Sequence, residues 1–142
     1  MINKKYQNYL NGKKVALVGP AEYLTKLNTG KYIDSFDVVV RINRGTEVVD
    51  KYFDSIGSRT DILYNCLIKS PDNGGDIKVK EYKKNKIKWI ATTPSPYVNE
   101  DSKPNELHKM VSWFTVFKLK WNFNFHIMDQ KIYSLINKKD ES

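Results

Sequence analysis

Short apolar runs that stop at turn-forming residues constrain the fold of this chain more than any other feature. The first run covers residues 15–18 and is ended by Gly19 and Pro20. Four more runs follow at residues 36–42, 61–66, 87–92 and 123–128. Runs of this length, bounded by glycine, proline or polar residues, are typical of buried strands. The sequence therefore predicts five strands.

Segments with helical spacing separate these runs. Pro20 suits the first turn of a helix, where its missing N–H costs nothing, and Asn28 with Gly30 would end that helix. Further helices are predicted over residues 77–85, 104–117 and 129–137, and loops over residues 46–58, 70–76 and 94–96.

Alternating strands and helices predict right-handed βαβ crossovers. The predicted class is α/β, with a Rossmann-like, mostly parallel sheet and helices on both faces. Ligands of such sheets bind at the carboxyl ends of the strands. The loops after the first three strands are therefore the first places to look for a site.

The length of 142 residues predicts one domain over residues 1–142. No apolar run approaches the roughly 20 residues of a membrane span, and no signal-peptide core follows the first residues, so we expect a cytoplasmic protein. Cys66 is the one cysteine, so it can form no intrachain disulfide and gives no metal-ligand spacing. We therefore predict neither a metal site nor a cofactor.

The chain is basic, with 24 Lys and Arg against 16 Asp and Glu and a net charge of +8. Six of the lysines fall within residues 78–88. The cluster has two interpretations, a solvated face or a surface that binds nucleic acid or another anion. A non-enzymatic nucleotide-binding or nucleic-acid-binding module therefore stays open as a second hypothesis.

The first loop places a tight turn and a predicted helix N-terminus directly after a strand. This arrangement aims backbone N–H groups at a phosphate. However, Gly19 is the one glycine of the turn, and Glu22 in the first helical turn would repel an anion. A plain strand-to-helix turn is the alternative.

The first strand and its turn also begin a longer series of short sequence motifs. The strand that ends at Gly19 is followed by Ile-Asp-Ser-x-Asp at residues 33–37, Arg-x-Asn at 41–43 and Gly-Ser-Arg-Thr at 57–60. In this order, with nearly preserved gaps, the series resembles the large sialyl motif of glycosyltransferase family 29, the sialyltransferases. The resemblance covers residues 14–66 and implies a truncated variant of the GT-A glycosyltransferase fold.

The resemblance also implies a function. The family transfers a sugar, with inversion and without a metal ion, from a cytidine-monophosphate-linked (CMP-linked) donor to a hydroxyl of a glycan acceptor. The asparagine of Arg-x-Asn, which contacts the nucleotide in the family, corresponds to Asn43. Asn43 also follows an apolar strand, and its amide can both donate and accept hydrogen bonds. The alternative is that Asn43 only begins a turn.

The first turn departs from the family pattern. Pro20 and Tyr23 stand at the two turn asparagines of the family, and Ala21 stands at its turn serine. Side-chain contacts to the nucleotide would therefore be lost here, and we expect backbone contacts from Gly19 and Ala21. Val15 stands at the motif-opening cysteine of the family.

The small motif and the histidine-bearing motif of the family have no counterpart after residue 66. We therefore expect this chain to be the N-terminal half of a longer glycosyltransferase, which supplies the donor-nucleotide half-site and transfers no sugar alone. The catalytic residue stays unknown. His108 lies on a predicted helix as a surface residue, whereas His126, near the end of a predicted strand, has the better position for a base.

Arg41 has two interpretations. It lies in an apolar strand near Asp34 and Asp37, so it could form a buried ion pair that orders the site. It could also bind a phosphate bidentately. The sequence favours the structural role, and it assigns residues 57–61 to capping and positioning the third strand.

Overall fold

A computed structural model describes residues 3–94, 113–129, 131, 132 and 135. Five parallel strands form one sheet in the order β1-β2-β3-β4-β5. The strands are β1 Val15–Val18, β2 Val38–Ile42, β3 Ile62–Tyr64, β4 Trp89–Thr92 and β5 Asn124–Ile127. All five lie within the predicted runs, which confirms the predicted α/β class.

Four α-helices lie wholly within the described residues. They are α1 Lys4–Leu10, α2 Gly30–Asp34, α3 Val49–Ile56 and α4 Val79–Lys84. Two 3₁₀-helical turns cover Glu22–Lys26 and Asn43–Thr46, and a π-helical turn covers Val116–Lys120 before β5.

The core has two layers, one on each face of the sheet. On one face, Leu63, Ile90 and Phe125 pack with residues of α4 and the π-helical turn, chiefly Tyr82 and Phe117. On the opposite face, side chains of α1 cover alternate residues of the three middle strands, namely Val38, Val40, Ile62, Trp89 and Ala91. Helical segments therefore lie on both faces, as predicted. Burial on both faces explains why these strands are continuously apolar.

The structure corrects three predictions of secondary structure. Residues 46–58, predicted as a loop, contain α3, and no helix was predicted at α1. The helix predicted from Pro20 is a five-residue 3₁₀ turn, and Gly30 begins α2 rather than ending that helix. Gly30 is required there because a Cβ would lie 2.2 Å from the carbonyl oxygen of Phe53 in α3.

The two C-terminal helix predictions lie largely outside the described residues. Residues 113–115 are helical and lead into the π-helical turn, in agreement with the end of the helix predicted over 104–117. Residues 131, 132 and 135 are also helical. The loop predicted at residues 94–96 is described at Pro94 alone.

Candidate functional site

A groove of about 340 Å³ lies at the carboxyl ends of the first two strands. Pro20 lines it from the loop after β1, Asn43 and Arg44 line it from the turn after β2, and residues 71–73 close the third side. This is the edge at which parallel sheets of this class bind ligands.

Asn43 is held by the segment that follows β3. It has a left-handed φ of 51°, which asparagine tolerates better than most residues. Its Oδ1 accepts a hydrogen bond from the backbone N–H of Cys66 at 2.9 Å. Among the described residues, none accepts a hydrogen bond from its Nδ2. The side chain is thus oriented by its acceptor end and keeps its donor end for another group.

Gly19 and Ala21 flank the groove rather than line it. Pro20, between them, is the residue of this loop that lines the groove. A Cβ at Gly19 would meet nothing within 4 Å, so a ligand could approach the backbone there. The carbonyl of Ala21 accepts the N–H of Leu24 and so begins the 3₁₀ turn.

Arg41 is structural. Its side chain is 1% exposed, its Nε donates to Thr60 Oγ1 and its Nη2 donates to the carbonyl of Arg59, both at 2.9 Å. Burial lowers its pKa to about 10, which Asp34 partly counteracts, so the guanidinium stays charged at neutral pH. These contacts support the favoured structural role, through hydrogen bonds rather than through a direct ion pair with Asp34 or Asp37. The Nη1 atom of Arg41 is buried and has no hydrogen-bond partner among the described residues.

The Gly-Ser-Arg-Thr segment binds Asp34 of the Ile-Asp-Ser-x-Asp segment. Both carboxylate oxygens of Asp34 accept the N–H of Ser58, at 2.9 and 3.0 Å, and the Ser58 hydroxyl donates at 2.8 Å. Burial alone would raise the pKa of Asp34, but the hydrogen bonds from Ser58 and Arg59 hold it below its ordinary value.

Asp61 and Asp37 each accept a backbone N–H at the amino end of the sheet. Asp61 Oδ2 accepts the N–H of Val39 in β2 at 2.8 Å, and Asp37 Oδ2 accepts that of Lys14 at 2.8 Å. Asp34, Asp37 and Asp61 therefore hold neighbouring segments of the chain together.

His126 lies far from the groove, on β5, three strands away from β2. Its ring stacks on Tyr6 of α1 with centroids 3.8 Å apart. Its Nδ1 is buried without a hydrogen-bond partner, and burial lowers its pKa to about 4. The position is that of a half-buried residue packed against α1, and His108 lies outside the described residues. No histidine of the described part of the chain lines the groove.

The sequence reasoning missed Arg44 and residues 71–73. Arg44 lies directly after the Arg-x-Asn segment. Its position next to Asn43 was the feature of the sequence that could have identified it as a residue of the groove. The contribution of residues 71–73 could not be read from the sequence, because it depends on how that turn folds back toward β2.

Comparison with known proteins agrees with this geometry. The sequence profile of glycosyltransferase family 29 (sialyltransferase) matches residues 3–95, more than half of the chain. The chain belongs to this family. A search of curated proteins gives no match.

Gly19, Ala21 and Asn43 lie within the matched range, and their contacts to a nucleotide stay a prediction. Within the described ranges, no helix is long and apolar enough to cross a membrane. Nor do three side chains of the kinds that ligate metals cluster anywhere in this part of the protein.

Proposed function

We propose that this family 29 domain, over residues 1–142, supplies the donor-nucleotide half-site of a sialyltransferase-like glycosyltransferase. The donor is a CMP-linked sugar and the acceptor is a hydroxyl of a glycan. The observation that carries the proposal is Asn43, whose oriented amide lines the groove at the carboxyl edge of the sheet. A cytoplasmic location stays a prediction.

Asn43 has a defined part in donor binding. Because Cys66 N–H occupies Oδ1, the side chain is oriented by its acceptor and its Nδ2 donors stay available for a ligand. The O2 and N3 atoms of cytosine and the ribose oxygens are hydrogen-bond acceptors, and Nδ2 would donate to one of them. Backbone groups of Gly19 and Ala21 would add contacts beside the groove.

The transfer itself exchanges two bonds at the anomeric carbon of the sugar. The acceptor hydroxyl oxygen forms a bond to that carbon from the face opposite the nucleotide. The bond to the phosphate oxygen breaks, CMP leaves, and the configuration inverts. A base must take the hydroxyl proton, and no residue is assigned to that role.

A calorimetric titration with CMP tests the proposal on Asn43→Gly. Glycine adopts the left-handed φ freely, so the variant removes the amide without straining the backbone. We expect binding weaker by about 1–3 kcal/mol, the cost of a lost hydrogen bond to a ligand. UMP and AMP should bind less tightly than CMP to the unmodified chain.

Asn122→Gly is the matched control. Asn122 also has a left-handed φ, of 58°, but it lies just before β5 and away from the groove. This variant should bind CMP like the unmodified chain. Equal CMP affinity in a folded Asn43→Gly chain would refute the assignment of Asn43.

A further inference from the structure

A second cavity, of about 200 Å³, adjoins the groove. The two share Arg44, Glu47 and Pro71 as lining residues. Lys69 and Lys78 line the second cavity alone. A group bound in the groove can therefore extend past Arg44 into a space with three cationic side chains.

Arg44 is held in place at the boundary between the two cavities. Its Nε donates to Glu47 Oε2 at 2.5 Å, its Nη2 donates to Glu47 Oε1 at 3.4 Å, and its Nη1 donates to the carbonyl of Pro71 at 3.0 Å. A guanidinium has five N–H donors in a fixed fork. Two donors of Arg44 thus have no acceptor among the residues that the structure describes.

The charges of the second cavity do not cancel. Arg44, Lys69 and Lys78 give three positive charges against two negative charges from Glu47 and Asp76, a net of 3 − 2 = +1. Hydrogen bonds from Arg44 and Lys78 hold the pKa of Glu47 below its ordinary value, so it is ionised at neutral pH. Lys78 Nζ lies 2.6 Å from Glu47 Oε1.

Lys69 has no ion-pair partner among the described residues. No carboxylate of the described ranges lies within ion-pair distance of its Nζ, which sits 5.9 Å from the centre of the Trp113 ring. An anion in the cavity would therefore gain a cation without competing for an existing ion pair.

We propose that this cavity is an anion subsite of the donor site, with Arg44 as the ligand and Lys69 as a second positive charge. The inference rests on the proposed function, because it assigns the neighbour of the nucleotide groove. The ligand is an anionic oxygen group, either the phosphate of the nucleotide or the carboxylate of a sugar acid. Both offer oxygens that match the fork of a guanidinium.

Titrations with four compounds test the subsite: cytidine, CMP, a CMP-linked sugar acid and inorganic phosphate. Cytidine lacks the anion and reports on the groove alone. The variants are Arg44→Gln and Lys69→Gln. The control is Lys80→Gln, which removes the same charge from an exposed position on α4 that lines neither cavity.

The variants should separate the two sources of the anion. If the phosphate occupies the cavity, Arg44→Gln weakens CMP binding about tenfold and leaves cytidine binding unchanged. If the carboxylate occupies it, CMP binding is unchanged and binding of the CMP-linked sugar acid weakens about tenfold. Lys69→Gln should act in the same direction with a smaller factor, and Lys80→Gln should change neither.

The outcomes also separate this inference from the proposed function. A chain that binds cytidine, but whose Arg44→Gln variant binds every donor compound equally well, keeps the nucleotide groove and overturns the anion subsite. A chain that binds inorganic phosphate through Arg44 but not cytidine overturns the proposed function and keeps an anion site. Binding of none of the four compounds overturns both.

Discussion

Asp34 and Arg41 use their charges to hold separate segments of the fold together. Asp34 accepts three hydrogen bonds from Ser58, and Arg41 donates to Thr60 and to the carbonyl of Arg59. Sequence proximity suggested that the two would pair directly. Their partners instead lie about 20 residues ahead, and such long-range contacts depend on strand pairing that the sequence does not display.

Asp34→Ala should destabilise the fold by about 1–3 kcal/mol, because the Ser58 and Arg59 donors would lose a charged acceptor. Urea unfolding measures the effect as a lower midpoint with an unchanged slope. Asp54→Ala is the control, since Asp54 is exposed on α3. Equal midpoints for the two variants would contradict the structural role of Asp34.

His126 should make stability depend on pH. Burial lowers its pKa to about 4 in the folded chain, against 6.5 for an exposed histidine, so the unfolded chain binds the proton first as pH falls. The contribution of the neutral His126 side chain to the free energy of unfolding should therefore be fully present above pH 6.5 and should decrease as pH falls from there toward 4. Because His126 is partly exposed, we expect a loss of about 1–2 kcal/mol.

His126→Phe should remove this loss, since phenylalanine can stack on Tyr6 without titrating. Unfolding curves at several pH values between 4 and 6.5 compare the two chains. Asp34 and Glu47 have lowered pKa values and lose their stabilising effect mainly below this window. A histidine-containing chain whose stability is flat across the window would contradict the burial argument.

At the scale of elements, the strands were predictable, whereas α1, α2 and α3 were not. Residues buried on both sheet faces must be apolar, so the strands appear as uninterrupted runs. In α3, by contrast, Val49, Tyr52, Phe53 and Ile56 have helical spacing, but the charged residues between them made the segment resemble a loop. In α1, Asn3 caps the helix through its Oδ1 and Tyr6 packs on the sheet. The spacing in α3 and the cap in α1 were therefore visible in the sequence, but each covers too few residues to predict a helix.

The turn between α3 and β3 requires glycine. Gly57 has a φ of 82°, and a Cβ would lie 2.8 Å from Asp34 Oδ1. Gly57→Ala should therefore cost about 3 kcal/mol or more in the free energy of unfolding, from backbone strain and from displacement of the carboxylate.

Gly12→Ala separates these two causes. Gly12 has a φ of 73°, and a Cβ there would meet nothing within 4 Å. It should cost only the backbone strain of a left-handed residue, about 1–2 kcal/mol. Thermal or urea unfolding of both variants provides the comparison. Equal losses in the free energy of unfolding would mean that the Asp34 carboxylate moves aside and makes room for the added methyl group.

At the scale of the molecule, the order of the strands determines the site. The chain-order sheet puts the turns after β1 and β2 side by side, so the groove between Pro20 and Asn43 follows from the topology. The class of the sheet and the position of Asn43 at its carboxyl edge could be predicted from the sequence. The anion cavity could not, because it forms where Lys69 and Lys78 approach Arg44 from distant parts of the chain.

The charge of the whole molecule bears on the alternative function, a nucleic-acid-binding module. Several lysines of residues 78–88 contact other residues of the protein and are therefore not free to bind a nucleic acid. Lys78 pairs with Glu47, Lys83 donates to the carbonyl of Asn122 and covers the Phe123 ring, and Lys88 lies 3.8 Å from Asp61. The others, Lys80, Lys84 and Lys86, are exposed. The cluster is thus divided between internal contacts and a solvated face.

Salt dependence distinguishes nucleotide binding from nucleic-acid binding. A protein that contacts 6–10 phosphates loses about 10³–10⁵ in affinity between roughly 50 and 200 mM salt. CMP carries one phosphate, so its affinity for this chain should fall less than about tenfold over that range. Fluorescence titration with a short single-stranded RNA should show weaker binding than CMP at the higher salt concentration. RNA binding that is tighter than CMP binding and falls steeply with salt would favour the nucleic-acid module, because only many phosphate contacts release that many counterions.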